Sequence, residues 1–371
     1  MTQKQEDESY MRHALELAKK GGGDVNPNPQ VGAVIVKNGE IIGEGYHEHF
    51  GDLHAERNAF KNCTSSAKGA TIYVTLEPCA HTGHQPPCYE AIIEHEIKRV
   101  VIGSFDPNPL VSGKGLEALR AVGIEVVGPV LEEECKAINH IFFHYIETKL
   151  PYVMLKYAMT LDGKIATYTG ASKWITGEQA RKKVHQDRSR FMAIMVGVGT
   201  VIADNPELTS RIENGKNPIR IICDTHLRTP INSKIVSTAR EIPTIIATAE
   251  DSAEKRKPYL EANCEILQLS TKNGEISLQE LVKKCGAKAI DSILIEGGAS
   301  LNAAALEAGI VQKVQAYIAP KIFGGKTAKT AVAGQGVAQP DQAYLFKTPE
   351  ISILGEDILL ESEIKSCSRE L

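Results

Sequence analysis

Three side chains in the first quarter of the chain could hold a zinc ion and leave one coordination position open. His54 lies two residues before Glu56, and Cys79 and Cys88 follow later in the chain. One histidine and two cysteines supply three ligands of a tetrahedral site, and a fourth position left to water is typical of catalytic zinc. Bound zinc lowers the pKa of water toward about 7, so hydroxide forms at neutral pH. Glu56 is the group that we expect to carry a proton from this water to a leaving amine.

A closed structural zinc site is the alternative, because the nearby His81 or His84 could supply a fourth ligand. A structural site has no need of Glu56, so the pattern favours catalysis. His-x-Glu followed by Pro-Cys resembles the signature of zinc-dependent nucleobase deaminases. The chain departs from that signature because eight residues, rather than two, separate Cys79 from Cys88.

The elements around these ligands alternate between strands and helices, which predicts α/β layers. The ligands fall at helix starts that follow strands, where the helix dipole favours the thiolate form of cysteine. Asn38-Gly39 predicts a tight hairpin turn. We expect helices at 11–18, from His54, at 89–94, at 115–122 and, closing the domain, at 131–147, with strands at 31–36, 41–46, 71–76, 99–103 and 124–127.

Lys149-Leu150-Pro151 predicts a boundary between domains at 1–149 and 150–371. In the second half, Thr176 and Gln179 predict a capping box for a helix at 178–188. No Gly-x-Gly-x-x-Gly follows the first strand there, so a Rossmann site is not indicated. Two glycine turns, at 197–200 and 296–300, follow strands and could bind phosphate through backbone N–H groups. We also expect strands at 152–158, 193–197, 220–223, 244–247, 292–296, 314–318 and near Ile351 and Ile358, and a helix at 299–308.

Composition limits the classes of function that remain. A chain of 371 residues is long enough for two domains. A net charge of about −4 gives no strong attraction to nucleic acid. The acidic N-terminus lacks the features of a signal peptide, and no apolar run approaches the ~18 residues of a membrane span. The eight cysteines do not form the pattern of a disulfide framework, so we expect a cytoplasmic enzyme.

Beyond single motifs, the chain resembles the bifunctional deaminase/reductases of riboflavin biosynthesis over roughly residues 10–361. In the first half the resemblance lies in Asn26-Pro27-Asn28-Pro29-Gln30-Val31-Gly32, His54-Ala55-Glu56, the stretch from Glu77 to Cys88, and Asp106-Pro107-Asn108-Pro109. In the second half it lies in Leu161-Asp162-Gly163-Lys164, Ser172-Lys173-Trp174-Ile175-Thr176, Gly197-Val198-Gly199-Thr200, Ala203-Asp204-Asn205-Pro206 and Ile295-Glu296-Gly297-Gly298.

The resemblance implies two three-layer α/β domains, the first similar to cytidine deaminase and the second similar to dihydrofolate reductase. The first would deaminate 2,5-diamino-6-(5-phosphoribosylamino)pyrimidin-4-one, with one zinc ion per chain. The second would use NADPH to reduce the ribosyl chain to ribityl. Such an enzyme is both a hydrolase and an oxidoreductase, and it would form a homo-oligomer through its reductase domain.

The resemblance also implies roles for individual residues. It makes His54, Cys79 and Cys88 the zinc ligands and Glu56 the proton carrier. Five residues would contact the deaminase substrate: Asn28, His47, His81, Asp106 and Asn108. Six would contact the reductase substrate: Lys156, Ser172, Arg188, Leu208, Arg211 and Glu296. Eight would lie near NADPH: Ala158, Trp174, Thr200, Asp204, Thr225, Gly298, Ala299 and Ser300. His84 departs from the family pattern, because relatives often carry a phosphate-binding lysine there.

Three alternative functions are also compatible with the sequence. A deaminase of a nucleic-acid base, with a C-terminal half that binds nucleotide without turnover, shares His-x-Glu and Pro-Cys. It would need a basic face for phosphates, which the net charge of −4 does not favour. A zinc-stabilised scaffold without activity is a second alternative, against which Glu56 argues. A chain in which only one half is active is a third, since the reductase half has no equally sharp local signature.

Overall fold

Buried strands alternate with helices through both halves of the chain in the computed structural model. The structure describes residues 2–80, 86–108 and 112–366. The chain divides into an N-terminal unit, Met1–Lys149, and a C-terminal unit, Leu150–Leu371. Within the described ranges, no helix combines the length and the apolar character needed to cross a membrane.

A five-stranded mixed sheet forms the centre of the N-terminal unit, in the order β2-β1-β3-β4-β5. Strand β1 runs antiparallel to β2 and β3, whereas β3, β4 and β5 are parallel. The hairpin between β1 and β2 turns at Asn38 and Gly39, which both have positive φ, as a type I′ turn requires. The strands are β1 (Gly32–Lys37), β2 (Glu40–Tyr46), β3 (Thr71–Val74), β4 (Arg99–Ile102) and β5 (Glu125–Val127).

Helices cover both faces of this sheet, because successive strand residues point to opposite sides. Val34 and Val36 pack in one cluster with α1 and α5, and Ile35 packs in another with α2, α3 and α4. The unit therefore has three layers. Its helices are α1 (Gln3–Ala18), α2 (Ala55–Lys61), α3 (Cys88–Glu94), α4 (Lys114–Ala121), α5 (Glu132–Ile138) and α6 (His140–Thr148).

The prediction of a single closing helix over 131–147 is wrong. Two helices, α5 and α6, meet at Asn139, whose φ of −112° and ψ of 17° are not helical. The Asn139 side chain makes two hydrogen bonds to the backbone of Gln30, 109 residues away in sequence. A tertiary contact of this kind leaves no trace in the local apolar pattern.

A ten-stranded sheet forms the centre of the C-terminal unit, in the order β10-β9-β8-β7-β13-β6-β14-β17-β15, with β16 on β17. The strands from β10 to β14 in this order are parallel, and β17 is antiparallel to β14, β15 and β16. These strands are β6 (Tyr152–Thr160), β7 (Ala193–Gly197), β8 (Ile219–Cys223), β9 (Thr244–Thr248), β10 (Glu265–Gln268), β13 (Ser292–Ile295), β14 (Lys313–Ala319), β15 (Leu345–Phe346), β16 (Glu350–Leu354) and β17 (Asp357–Ser366); β11 (Thr271–Lys272) and β12 (Glu275–Ile276) form a separate hairpin.

Helices again lie on both faces of the sheet. Met195 packs in one cluster with α11 and α12, whereas Ile194 and Val196 pack in another with α8 and α9. The predicted fold class, two three-layer α/β domains, is confirmed. The helices are α7 (Glu178–Arg190), α8 (Val198–Asp204), α9 (Lys234–Ser237), α10 (Ala253–Glu261), α11 (Leu278–Ala287) and α12 (Ala299–Glu307).

The capping box predicted for α7 from Thr176 and Gln179 is wrong. The N-cap residue of α7 is Gly177, which has no side chain to cap with. The backbone N–H of Gly177 donates instead to Asp357 Oδ2 at 2.7 Å. A carboxylate at this position also suits the positive end of the helix dipole.

Candidate active site

The three predicted zinc ligands converge at the starts of two helices in the N-terminal unit. His54 is the N-cap residue of α2, and Cys88 is the first residue of α3. Cys79 follows β3 by a few residues. The parallel neighbours β3 and β4 end at the same edge of the sheet, so the chain crosses this edge repeatedly and brings distant residues together there.

The ligand atoms lie at spacings that suit one metal ion. His54 Nδ1 is 3.2 Å from Cys88 Sγ and 3.5 Å from Cys79 Sγ. All three ligand atoms lie within 4.8 Å of one another. Zinc bonds of 2.0–2.3 Å give a tetrahedron with edges of about 3.5 Å. Nitrogen and sulfur donors are also the ligands that zinc prefers, so these residues fit the ion.

The electrostatics of the cluster prepare it for a cation. A hydrogen bond from Cys88, assisted by His54, lowers the pKa of the Cys79 thiol to about 4. The same contact with Cys79 raises the pKa of Cys88, and burial raises it further. The lowered pKa of Cys79 favours its thiolate form, which is the form that binds a metal ion. A divalent cation would bring Cys88 into the thiolate form as well, because metal ligands bind deprotonated.

Glu56 lies in the first turn of α2, two residues after His54. Its side chain is buried, with 3% of its surface exposed. Burial raises the pKa of Glu56, and the nearby Cys79 thiolate raises it further. A raised pKa makes the carboxyl group hold a proton more readily, so it can both accept and return one, as a general acid–base requires.

A cavity of about 280 Å³ opens beside the cluster. Four of the five predicted deaminase substrate contacts line it: Asn28, His47, Asp106 and Asn108. The fifth, His81, lies outside the described residues, as does His84. The sequence interpretation missed the wall formed by Phe142, Tyr145 and Ile146 of α6. These residues stand at positions i, i+3 and i+4, which lie on one face of a helix, and this pattern is a signal that the sequence carries.

The polar lining of the cavity is oriented by hydrogen bonds. His47 Nδ1 lies 3.1 Å from the Leu53 carbonyl, and His47 Nε2 lies 3.1 Å from Asn28 Nδ2. Donation from Nδ1 to the carbonyl and acceptance at Nε2 from the amide satisfy both contacts with a neutral ring. Burial lowers the pKa of His47, which favours this neutral form.

Glu77 also contributes to the site, although the sequence analysis assigns no role to it; it directly precedes Pro78-Cys79. Its buried carboxylate accepts from the backbone N–H of Gly113 at 2.7 Å and of Asp106 at 3.4 Å. Asp106 Oδ1 in turn accepts from the Asn108 backbone N–H at 2.8 Å. These contacts orient the segment in which Asp106 and Asn108 lie.

In the C-terminal unit, three of the predicted substrate residues form one buried ion cluster. The Arg188 guanidinium donates to both carboxylate oxygens of Glu296, at 2.6 and 2.9 Å. Lys156 Nζ lies 3.8 Å from Glu296 Oε2. Burial alone would raise the pKa of Glu296, but Arg188 and Lys156 lower it to about 2. Burial lowers the pKa of Lys156, and the neighbouring Glu296 carboxylate opposes this effect, so the cluster favours the charged forms that an anionic substrate can contact.

The other three predicted substrate contacts are more dispersed. Leu208 is buried with a positive φ of 56°, and the carbonyl of the next residue, Thr209, accepts from Arg188 Nη1 at 2.9 Å. Arg211 is exposed and pairs with Glu207 at 3.1 Å. Ser172 lies in the loop between β6 and α7.

The two glycine turns of the C-terminal unit adjoin each other. The backbone N–H of Gly197 donates to the Gly297 carbonyl at 3.0 Å. A methyl group added at Gly298 would lie 3.3 Å from Thr200 Oγ1, so a side chain at this position would crowd the Thr200 hydroxyl. Ala299 and Ser300 begin α12, whose N-terminal N–H groups face this region of the sheet edge. A helix start that has no side chain over its first N–H groups suits a pyrophosphate.

The remaining predicted cofactor residues lie around this edge with differing exposure. Thr225 follows β8, the neighbour of β7, and its hydroxyl donates to Glu275 at 2.5 Å. Ala158 lies in β6, the neighbour of β13. Asp204 ends α8 and is exposed. Trp174 is 61% exposed, with the Arg181 guanidinium 4.6 Å from its ring centre. A large exposed aromatic surface is available to stack on a planar ligand.

Comparison with known proteins gives matches in both halves. Residues 4–104 match the family model of the cytidine and deoxycytidylate deaminase zinc-binding region, and residues 151–360 match the RibD C-terminal domain. The riboflavin biosynthesis protein RibD of Actinobacillus pleuropneumoniae is 56% identical over 355 residues, covering 96% of this chain and 94% of its own length.

Two solved structures are similar over almost the whole chain. One is a diaminohydroxyphosphoribosylaminopyrimidine deaminase/5-amino-6-(5-phosphoribosylamino)uracil reductase from Thermotoga maritima, 40% identical, with a TM-score of 0.87. The other is Acinetobacter baumannii RibD, 35% identical, with a TM-score of 0.89. Each comparison covers 98% of this chain and 100% of the other.

These matches support the two halves together rather than one alone. A deaminase zinc-binding region and a RibD reductase domain imply Zn²⁺ and NADPH as cofactors. The alternative of a nucleic-acid base deaminase is not favoured, because the relatives carry both halves over their full length. The chain therefore belongs to the RibD family of riboflavin biosynthesis proteins, which are bifunctional deaminases and reductases.

Proposed function

We propose that the N-terminal unit, residues 1–149, deaminates 2,5-diamino-6-(5-phosphoribosylamino)pyrimidin-4-one, and that the C-terminal unit, residues 150–371, then reduces the ribosyl chain with NADPH. One observation carries the proposal: a His54, Cys79 and Cys88 cluster with the buried Glu56 beside the same cavity. The similar Thermotoga maritima protein is named for these two reactions, which supports this choice of substrate.

In the deaminase reaction, His54, Cys79 and Cys88 would hold zinc through one nitrogen and two sulfur atoms. Bound zinc supplies an acidified water molecule as the nucleophile. Glu56 accepts a proton as the water oxygen bonds to the ring carbon that bears the amino group. Glu56 then gives this proton to the ring nitrogen, takes the second proton from the new hydroxyl group and delivers it to the departing amine, so ammonia leaves and a ring carbonyl remains. The raised pKa of Glu56 supports this two-way role.

The polar groups of the cavity would bind the rest of the pyrimidine. Asn28 and His47, linked to each other, present oriented polar atoms on one side. Asp106 and Asn108, held through Glu77, present them on another. His81 belongs to this proposed set as well, by the family pattern. A neutral His47 avoids adding a second cation beside the metal, which the lowered pKa supports.

In the reductase reaction, Lys156, Arg188 and Glu296 would bind the sugar, and Arg211 would bind its phosphate. Arg211 suits this role because its guanidinium is exposed and forms an ion pair with Glu207 at the surface. Its planar fork can bind two phosphate oxygens at once. Ser172 and Leu208 would complete the contacts. The buried positive cluster would orient the opened sugar so that its first carbon receives hydride and its nitrogen receives a proton.

The nicotinamide of NADPH supplies the hydride. The cofactor would lie along the edge where β8, β7, β13 and β6 end side by side. Its pyrophosphate would contact Gly298, Ala299 and Ser300 and the Thr200 hydroxyl, which a methyl group added at Gly298 would crowd. The other residues proposed to contact it are Ala158, Trp174, Asp204 and Thr225.

We also propose that the enzyme acts in the cytoplasm and forms a homo-oligomer through its reductase unit. The surface that supports this is β16, where Ile351 and Ile353 are each 66% exposed. Strand β16 pairs with β17 along one edge. A strand with an exposed apolar face is a ready site for pairing with another chain.

The experiment that tests the proposal follows both reactions in one sample. Purified enzyme receives the phosphoribosylated diaminopyrimidinone with NADPH, and ammonia and NADPH absorbance are recorded separately. We expect ammonia to appear first and NADPH to be consumed afterwards. Prior removal of zinc by a chelator should stop ammonia release and leave reduction of pre-deaminated substrate intact. Consumption of NADPH without any ammonia release would overturn the proposed assignment.

A further inference from the structure

Asn139, at the junction of α5 and α6, is fully buried. Its carboxamide forms two hydrogen bonds with one partner. Asn139 Oδ1 accepts from the backbone N–H of Gln30 at 2.8 Å, and Asn139 Nδ2 donates to the Gln30 carbonyl at 2.8 Å. The side chain thus pairs with the Gln30 backbone as a neighbouring strand would, across 109 residues of sequence.

The carboxamide does not serve the two helices that meet at Asn139. Neither α5 nor α6 receives a side-chain capping bond from it, and only the Asn139 backbone completes the helix hydrogen bonds, with Lys136 and Phe143. A residue present only to end a helix would direct its side chain to the helix. The side chain of Asn139 instead fixes the position of the 26–30 segment relative to α6.

Each side of this pairing carries part of the deaminase cavity. Two residues before Gln30, Asn28 contacts His47, which in turn contacts the carbonyl of Leu53, the residue before His54. On the other side, α6 places Phe142, Tyr145 and Ile146 in the cavity wall. The pairing of Asn139 with Gln30 therefore sets the distance between a polar wall and an apolar wall of the same cavity.

We propose that Asn139 is a positioning residue for the deaminase, which holds the Asn28 wall and the α6 wall at the spacing that fits the pyrimidine substrate. This inference rests on the proposed function of the N-terminal unit. Loss of the pairing would let the walls move apart without displacing the zinc ligands. The KM for the substrate would rise, whereas the kcat of the chemical step would change little.

The test compares Asn139→Leu, which removes both hydrogen bonds at similar side-chain volume, with Gln30→Met. The Gln30 variant is a matched control, because the backbone of Gln30 makes the pairing and, among the described residues, its side chain bonds only to the Gly22 carbonyl. For each variant we would measure zinc content, the KM and kcat of ammonia release, and reduction of pre-deaminated substrate by NADPH. Asn139→Ser, which removes the carboxamide without adding bulk, repeats the test if Asn139→Leu does not fold.

We expect the Asn139 variants to raise the deaminase KM about tenfold, the effect of losing oriented hydrogen bonds at a binding wall. The kcat, zinc content and reductase rate should stay within about twofold of wild type. Gln30→Met should resemble wild type throughout. An unchanged KM in the Asn139 variants, an equal rise in Gln30→Met, or a loss of kcat that follows zinc content would each overturn the inference. If wild-type enzyme releases no ammonia from this substrate, the proposed function itself fails.

Discussion

At the scale of single residues, both candidate sites depend on buried charges that are held by specific partners. Cys79 is stabilised as a thiolate by Cys88 and His54, and Glu296 is stabilised as a carboxylate by Arg188 and Lys156. Removing one member of such a group leaves the others buried and unpaired, which costs more than the pair contributes. The consequences can be measured separately in the two units.

Glu296→Gln provides a residue-scale test in the C-terminal unit. We expect it to destabilise that unit by about 3–5 kcal/mol, because Arg188 and Lys156 lose their buried counter-charge. Arg188 and Lys156 hold the pKa of the wild-type carboxylate at about 2, below the ordinary value of 4.5. Its stabilising contribution is therefore complete above pH 4.5 and is lost as the pH falls from 4.5 through 2.

Thermal unfolding of the full chain at several pH values is the measurement for this prediction. The transition that NADPH shifts upward identifies the C-terminal unit, since a ligand stabilises the unit that binds it. Glu296→Gln should lower that transition near pH 7 and remove part of its decline in acid. The control is Glu363→Gln, whose partner Lys347 is exposed and whose loss should matter little. Equal effects of the two substitutions would contradict the account.

At the scale of elements, the turns after β7 and β13 determine where a pyrophosphate can lie. Gly298→Ala would place a methyl group 3.3 Å from Thr200 Oγ1 and crowd the hydroxyl between the two turns. We expect a KM for NADPH about tenfold higher, because backbone N–H groups would be kept from the phosphates.

Gly197→Ala is the comparison for this change, since its added methyl would meet Leu301 Cβ at an ordinary 3.8 Å. Steady-state kinetics with pre-deaminated substrate give both KM values, and ammonia release shows whether the other unit is intact. If the KM for NADPH is unaltered in Gly298→Ala, the phosphates of the cofactor do not bind between these two turns.

The elements also show how far the sequence could be interpreted alone. The α/β class, the hairpin at Asn38-Gly39 and the meeting of His54, Cys79 and Cys88 follow from local patterns and ligand types. The break at Asn139 and the capping of α7 at Gly177 could not be predicted, because each depends on a partner more than 100 residues away, whereas the start of α7 at Glu178 agrees with the prediction. The contact between Arg188 and Glu296 could not be predicted for the same reason, although the family resemblance implies that both residues contact the substrate.

At the scale of the whole molecule, the exposed face of β16 is the surface on which the proposed homo-oligomer depends. Ile351→Lys combined with Ile353→Lys should lower the self-association of the chain, because two charges would replace apolar contact area. Both side chains are exposed, so the fold should persist. Sedimentation velocity over a range of concentrations measures the change. An unchanged distribution of species would exclude β16 from the interface.

The central claim for the whole molecule is that two separable reactions occur in one chain, the first through Glu56. The most direct measurement uses Glu56→Gln, which keeps the shape of the side chain and removes its ability to carry a proton. Ammonia release from the phosphoribosylated diaminopyrimidinone should fall about 10²–10⁴-fold, the usual contribution of general acid–base catalysis. Zinc content and NADPH oxidation with pre-deaminated substrate should match wild type. Ammonia release at the wild-type rate, or loss of both reactions together, would contradict the account.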